Sequence, residues 1–156
     1  MQFHIAAVGR FGGGRAHAAE RAVFERFAER VVPPPVLIEV EEKRPLAAPE
    51  RRRREGELLL GALPAGAFVV ALDEKGRPLT SAGLAERLGR LRDEGTRHVA
   101  FVIGGADGLD EAVRQAANLV LSLGPMTWPH LLVRGLIAEQ IFRAQSILAG
   151  HPYHRA

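Results

Sequence analysis

At 156 residues, 47% hydrophobic and 25% charged, the chain fits one folded domain spanning 1–156 and suggests neither a disordered nor a membrane protein. Zero Cys excludes disulfides, a thiolate nucleophile and Cys-based zinc or iron–sulfur chemistry. The net charge of +3, with 19 Arg among 21 basic residues, permits nucleic-acid binding without requiring it, since an Arg-rich, Lys-poor composition also follows from codon bias.

In chain order, short apolar runs alternate with amphipathic stretches. Phe3, Ile5 and Ala7 alternate as a first strand, and the opening MQFHIAAVGR has no basic n-region or cleavage pattern, which points to the cytoplasm rather than to secretion. The Gly-rich loop 9–16 separates Gly9 from Gly14 by four residues, as a P-loop does, but Arg15 and Ala16 stand where a Lys and a hydroxyl are needed, so a flexible connection is expected. Ala19, Val23, Phe27 and Val31 recur every four residues in a first helix that Pro33, Pro34 and Pro35 end. Residues 36–40 read as a second strand. The charged segment 41–55, carrying four consecutive Arg at 51–54, then precedes a second helix with Leu58, Leu59 and Leu63. Residues 67–72 read as a third strand ending at Asp73, and Lys75, Gly76, Arg77 and Pro78 as a turn. Thr80 and Ser81 can cap a third helix whose Leu84, Leu88 and Leu91 share one face. Residues 99–103 form a fourth strand, Asp110 and Glu111 introduce a fourth helix with Val113 and Ala117, and 119–123 make a fifth strand. After a loop at 124–130 with two prolines, Val133, Ile137, Ile141 and Leu148 line a final helix that Gly150 and Pro152 stop before the tail HPYHRA. The uncharged stretches 58–72 and 119–133 fall short of the ~20 apolar residues a membrane-spanning helix needs, and Pro or Gly breaks each.

Five strands alternating with helices imply a mostly parallel α/β sheet covered on both faces, with ligands beyond the strands' carboxyl ends. The loops after Ala7, Leu72, Ile103 and Leu123 are the places to search. Only Ser81, Ser122 and Ser146 could be serine nucleophiles and none lies in a GxSxG elbow, which disfavours hydrolysis. His151 and His154 flank a Pro with no carboxylate or Cys nearby, so no metal site is expected. Glycines at 104, 105 and 108 would let a ligand approach backbone amides, and Leu123, Met126 and Trp128 would wall a flat ring. Taken one by one, Gly104 and Gly105 read rather as a tight turn and the leucines as core. Glu139 and Arg143, four apart on the last helix, read either as a surface ion pair or as substrate-positioning groups.

The segments FVIGGADGL at 101–109, SLGPMTWPHLLVR at 122–134 and AEQIFRAQSILAGHPYHR at 138–155, with the weaker VGR at 8–10 and ALDEKG at 71–76, together resemble the RlmH family of large-subunit rRNA pseudouridine N3-methyltransferases. The resemblance covers nearly the whole chain. It implies a parallel-sheet SPOUT fold with a C-terminal deep trefoil knot, which periodicity alone would not suggest because knots are nearly absent from proteins. It implies S-adenosylmethionine held at Leu72, Gly104, Gly105, Gly108 and Leu123, Gly124, Pro125, Met126, Thr127 and Trp128. Its substrate would be 23S rRNA within the ribosome. Leu136 and Ile147, off the Val133 and Ile137 stripe of the last helix, leave that helix apolar on two faces and point to a homodimer. The tail would act through His154 and Tyr153 as catalytic groups, with Arg155, Arg143 and Glu139 binding substrate. His130 and Arg134 are expected to support the knotted loop. The alternatives are a noncatalytic RNA-binding α/β module that keeps the scaffold, and a flavodoxin-like nucleotide binder.

Overall fold

The computed structural model describes residues 1–155. Five parallel strands form one sheet in the order β2-β1-β4-β3-β5, comprising β1 (Gln2–Val8), β2 (Val36–Val40), β3 (Phe68–Pro78), β4 (His98–Ile103) and β5 (Leu119–Ser122). Phe3, Ile5 and Ala7 of β1 face one layer and Ala6 and Val8 the other, and β4 divides likewise, so both faces of the sheet are covered by apolar packing. On the first face lie α1 (Ala18–Ala28), α3 (Ser81–Asp93) and α5 (His130–Leu148), with α5 packed against both α1 and α3. The second face carries α2 (Ala48–Gly61) and α4 (Glu111–Ala116). None of the described helices is long and apolar enough to cross a membrane.

Local chemistry accounts for most boundaries. Thr80 accepts a hydrogen bond from the Gly83 amide at 3.0 Å and Asp110 one from Ala112 at 3.1 Å, each satisfying an otherwise orphaned donor at a helix start for about 1 kcal/mol. The expected stripe Leu84, Leu88 and Leu91 is buried. α1 stops at Ala28, ahead of the three prolines, while Val31 beyond it is fully buried.

Two expectations need correction. The turn placed at residues 75–78 is strand: β3 runs on to Pro78, with its register against β5 shifted between Leu72 and Arg77. The intervening residues bulge, and glycine is required at 76, because a Cβ there would lie 2.8 Å from the backbone of Val120 and Leu121. The charged segment 41–55 is likewise partly helical. α2 begins at Ala48 with Pro49 in its first turn, where the missing N–H costs nothing, and the Arg run 51–54 therefore winds around a helix.

Candidate functional site

At the carboxyl ends of β3, β4 and β5 opens a cavity of about 950 Å³. Its walls are the β3 bulge, the loop after Ile103 and the segment after β5, while the starts of α4 and α5 close it from behind. Nine of the ten residues expected at a cofactor site line it: Leu72, Gly104, Gly105, Gly108, Leu123, Gly124, Met126, Thr127 and Trp128. Pro125 does not. The fourth loop proposed for searching, at residues 9–16, is not part of the wall. Instead Phe11 turns into the core, 6% exposed, with its amide donating to Glu39 at 2.8 Å.

The loop after β4 is held shut upon itself. Gly108 donates to the Gly105 carbonyl at 3.0 Å, and Gly108 takes a φ of +80° that favours glycine. Ser122 ties the next wall to the β3 bulge: its hydroxyl donates to the Glu74 carbonyl at 3.0 Å and accepts from the Gly124 amide at 3.0 Å. Met126 and Trp128 are left 72% and 42% exposed at the mouth.

The cavity wall is acidic. Asp73, Glu74, Asp107, Asp110 and Glu111 give five carboxylates against the three cations Arg52, Lys75 and Arg114. Arg114 donates to Asp73 at 2.8 Å and also pairs with Glu111, whose hydrogen bond, followed by that of Asp73, holds the guanidinium above its ordinary value. His130 also lines the cavity; burial, then Arg134 and His17, pull its imidazole below its ordinary value. No sequence pattern places Arg52 or Arg114 at the cavity. Arg114 follows Glu111 by one helical turn and was legible as an ion pair, whereas Arg52 offered no signal within a run of four like residues.

Arg134, one helical turn beyond His130, is fully buried. It donates to the carbonyls of Val8 and Gly9 at 2.9 Å and to Glu39 at 2.7 Å, and its guanidinium sits 4.6 Å from the centre of the Phe11 ring. That set of contacts fastens the start of α5 to the end of β1.

The remaining predicted residues gather elsewhere, on the outer part of α5. Arg143 pairs with Glu139 at 2.5 Å, the Tyr153 hydroxyl donates to Glu139 at 3.0 Å, and Arg143 lies 4.7 Å above the Tyr153 ring. Tyr153 also packs on Phe142, ring centres 4.6 Å apart. Burial and then the bond to Glu139 raise the phenol above its ordinary value, so Tyr153 keeps its proton. The Arg143 guanidinium lies 3.3 Å from His154 Nδ1, and since a guanidinium only donates, Nδ1 is the accepting side of that contact. Arg155 is exposed, and Ala156, the end of the predicted tail, lies outside the described residues. The tail was expected near the cofactor cavity, but Glu139, Arg143, Tyr153, His154 and Arg155 are absent from that cavity's wall. From Val133, which lines the wall, to Arg143 the helix rises roughly 15 Å.

A family model described as "Predicted SPOUT methyltransferase" matches residues 1–154. The chain is similar to proteins named ribosomal RNA large subunit methyltransferase H: 59% identical to that of Paramagnetospirillum magneticum, over 99% of each chain. It is 55% identical to that of Rhodospirillum centenum and 54% to that of Rhodospirillum rubrum, over 100% of each chain.

Proposed function

The chain belongs to the ribosomal RNA large subunit methyltransferase H (RlmH) family of SPOUT methyltransferases, and from that premise we propose that it methylates N3 of a pseudouridine in 23S rRNA of the assembled ribosome with S-adenosylmethionine. The acid-rich cavity carries this reading. S-Adenosylmethionine bears a sulfonium and an ammonium against one carboxylate, and a wall with five carboxylates and three cations suits such a cation. A flavin or nucleotide phosphate would meet net repulsion there, which weighs against the flavodoxin-like alternative. A Cβ at Gly108 or Gly124 would meet nothing of the protein within 4 Å, so both loops stay open to a ligand, and Leu72, Leu123, Met126 and Trp128 offer apolar surface to a purine.

Bound S-adenosylmethionine would supply an electrophilic methyl carbon, its sulfonium sulfur leaving as a neutral thioether as the bond to N3 forms. The chain's part is to orient the acceptor while the N3 proton passes to water and the negative charge left on N3 spreads onto the flanking carbonyl oxygens. His154 is suited to donate from Nε2 toward such an oxygen; Arg155 would anchor phosphate, and Tyr153 with Glu139 and Arg143 would hold the tail in shape. Because those groups stand away from the cavity of their own chain, the functional unit is a homodimer in which one copy's tail meets the other's cavity. The C-terminal knot of the family is supported by a chain path in which β5 adds beside β3, the next segment lines the two preceding loops, and α5 then returns to α1 and α3. One sheet with all helices packed on it supports a single domain, and a ribosomal substrate supports a cytoplasmic location.

The test joins calorimetry with S-adenosylmethionine to incubation of ribosomes lacking the modification with labelled cofactor, followed by mapping of the labelled nucleotide. Micromolar binding and a single labelled pseudouridine are expected. Cofactor binding with label on another nucleotide would overturn the acceptor assignment, and ribosome binding with no label transfer would favour the noncatalytic RNA-binding module.

A further inference from the structure

Glu55 is 5% exposed in the middle of α2, and the reaction as described makes no use of it. A Cβ built on Gly105 would stand 2.9 Å from Glu55 Oε2 and 3.0 Å from Val8 Cγ1, so the carboxyl is packed directly behind the loop that lines the cavity. Two further contacts reach the same segment from the same helix. Arg51, one turn before Glu55, lies 3.7 Å from Asp107, and a Cβ on Gly56 would be 2.9 Å from Val113 and 3.3 Å from Asp110. Arg51 and Glu55, four apart, share one face of α2, and Gly56 lies about 100° further round, so the helix meets the segment 105–113 over a broad arc. Arg52 meanwhile reaches the cavity wall itself.

We propose that Glu55 is a positioning residue for the methyl-donor cavity: its carboxyl, wedged behind Gly105 and flanked by the Arg51–Asp107 pair, holds loop 104–109 in the shape that receives the cofactor. The inference rests on the reading of that cavity given above. The loop's own contacts leave it in need of such a backing. Beyond the Gly105–Gly108 hydrogen bond, residues 106–108 are exposed, and three of its first five residues are glycines with no side chain to anchor them. Burial first, then the charges of Asp107 and Glu42, push the Glu55 carboxyl above the ordinary range, with Arg51 opposing. What the packing against Gly105 uses is the shape of the side chain, and Gln, its neutral isostere, should reproduce it.

The experiment measures cofactor affinity by calorimetry and the separate KM values for cofactor and ribosome in Glu55→Ala, Glu55→Gln and Arg51→Gln. Expected are at least a tenfold weaker cofactor Kd and raised cofactor KM in Glu55→Ala with ribosome KM within twofold, near-complete rescue in Glu55→Gln, and a threefold or greater loss in Arg51→Gln. Ribosome KM rising in step with cofactor KM, or a Gln variant as weak as the Ala variant, would overturn the assignment. So would a folded Glu55→Ala protein with unchanged affinity. Should Glu55→Ala not fold, Arg51→Gln decides by the same measurement, an unchanged Kd counting against the proposal. Wild-type protein that fails to bind S-adenosylmethionine would instead refute the reading of the cavity itself.

Discussion

A β-carbon at position 104 would sit 2.6 Å from the Gly108 carbonyl carbon and 2.9 Å from the Leu109 amide, both backbone, so no rotamer can relieve it. Gly104→Ala should therefore move the loop: cofactor affinity falls at least tenfold while ribosome binding, measured by co-sedimentation, stays within twofold. Unchanged affinity would remove this loop from the site. At the opposite end of the sheet, His4 Nε2 lies 3.1 Å from His98 Nδ1, and His4 Nδ1 is buried without a hydrogen-bond partner. Burial, and then His98, pull the His4 imidazole below its ordinary value. Since the folded state binds this proton less well than the unfolded chain, stability is full above ~6.5 and declines as pH falls from there toward the folded value. Urea unfolding at about pH 7.5 and about pH 5.5 should show that decline, and His4→Leu should lessen it; His130, shifted the same way, keeps part of the slope in both proteins. Equal slopes in the two proteins would sink the argument. The sequence showed His4 only as a strand residue. Its paired nitrogen, Nε2, meets a neighbour 94 positions away.

At the scale of elements, α5 and the tail behave as one unit. Tyr153 closes over Phe142 and Glu139, whereas His154 and Arg155 add contacts only to Arg143 or none. Packing and chemistry can thus be cut apart. Deleting residues 154–156 should leave the melting temperature nearly unchanged and cofactor affinity within a few-fold while abolishing methylation of ribosomes. Deleting 153–156 should in addition lower the melting temperature, because the Phe142 ring loses its aromatic partner and is exposed further. Full turnover after the shorter deletion would dismiss the tail from the reaction. The starts of α3 and α4, the apolar stripes and the glycine loops were readable from the sequence, because caps and periodicity are local, whereas the start of α2, at Ala48 without a side-chain cap, was not. The extension of β3 to Pro78 was not, since Gly76 and Pro78 are turn residues by composition and only the backbone of β5 draws them into the sheet.

For the whole molecule, the case for a dimer changes its footing. Apolar residues on more than one side of α5, Leu136 and Ile147 among them, suggested a helix needing a second copy, but α1 and α3 supply two partners within the chain. The large hydrophobics exposed among the described residues are Val32 at 76%, Val36 at 44%, Leu148 at the end of α5 at 40% and, at the cavity mouth, Met126 and Trp128. Together with a tail displaced from its own cavity, these surfaces predict a dimer by sedimentation at micromolar concentration. They also predict complementation. Mixing Gly104→Ala protein with the 154–156 deletion should restore methylation, since a mixed dimer has one intact cavity facing one intact tail. A monomeric protein, or no restoration from subunits shown to exchange, would contradict the arrangement.

By itself the sequence determined the alternation of strands and helices, the glycine and apolar character of the loops after Leu72, Ile103 and Leu123, and through its motifs the family. Those are properties of neighbours along the chain, set by backbone freedom, caps and periodic burial. Only the tertiary structure decided that Arg52, Asp110 and Arg114 share a cavity with those loops, that Glu55 stands behind Gly105, and that the tail folds onto α5 away from the cavity. Each of these joins residues from different elements, and their distances are fixed by sheet order and helix packing, which no local pattern of side chains encodes.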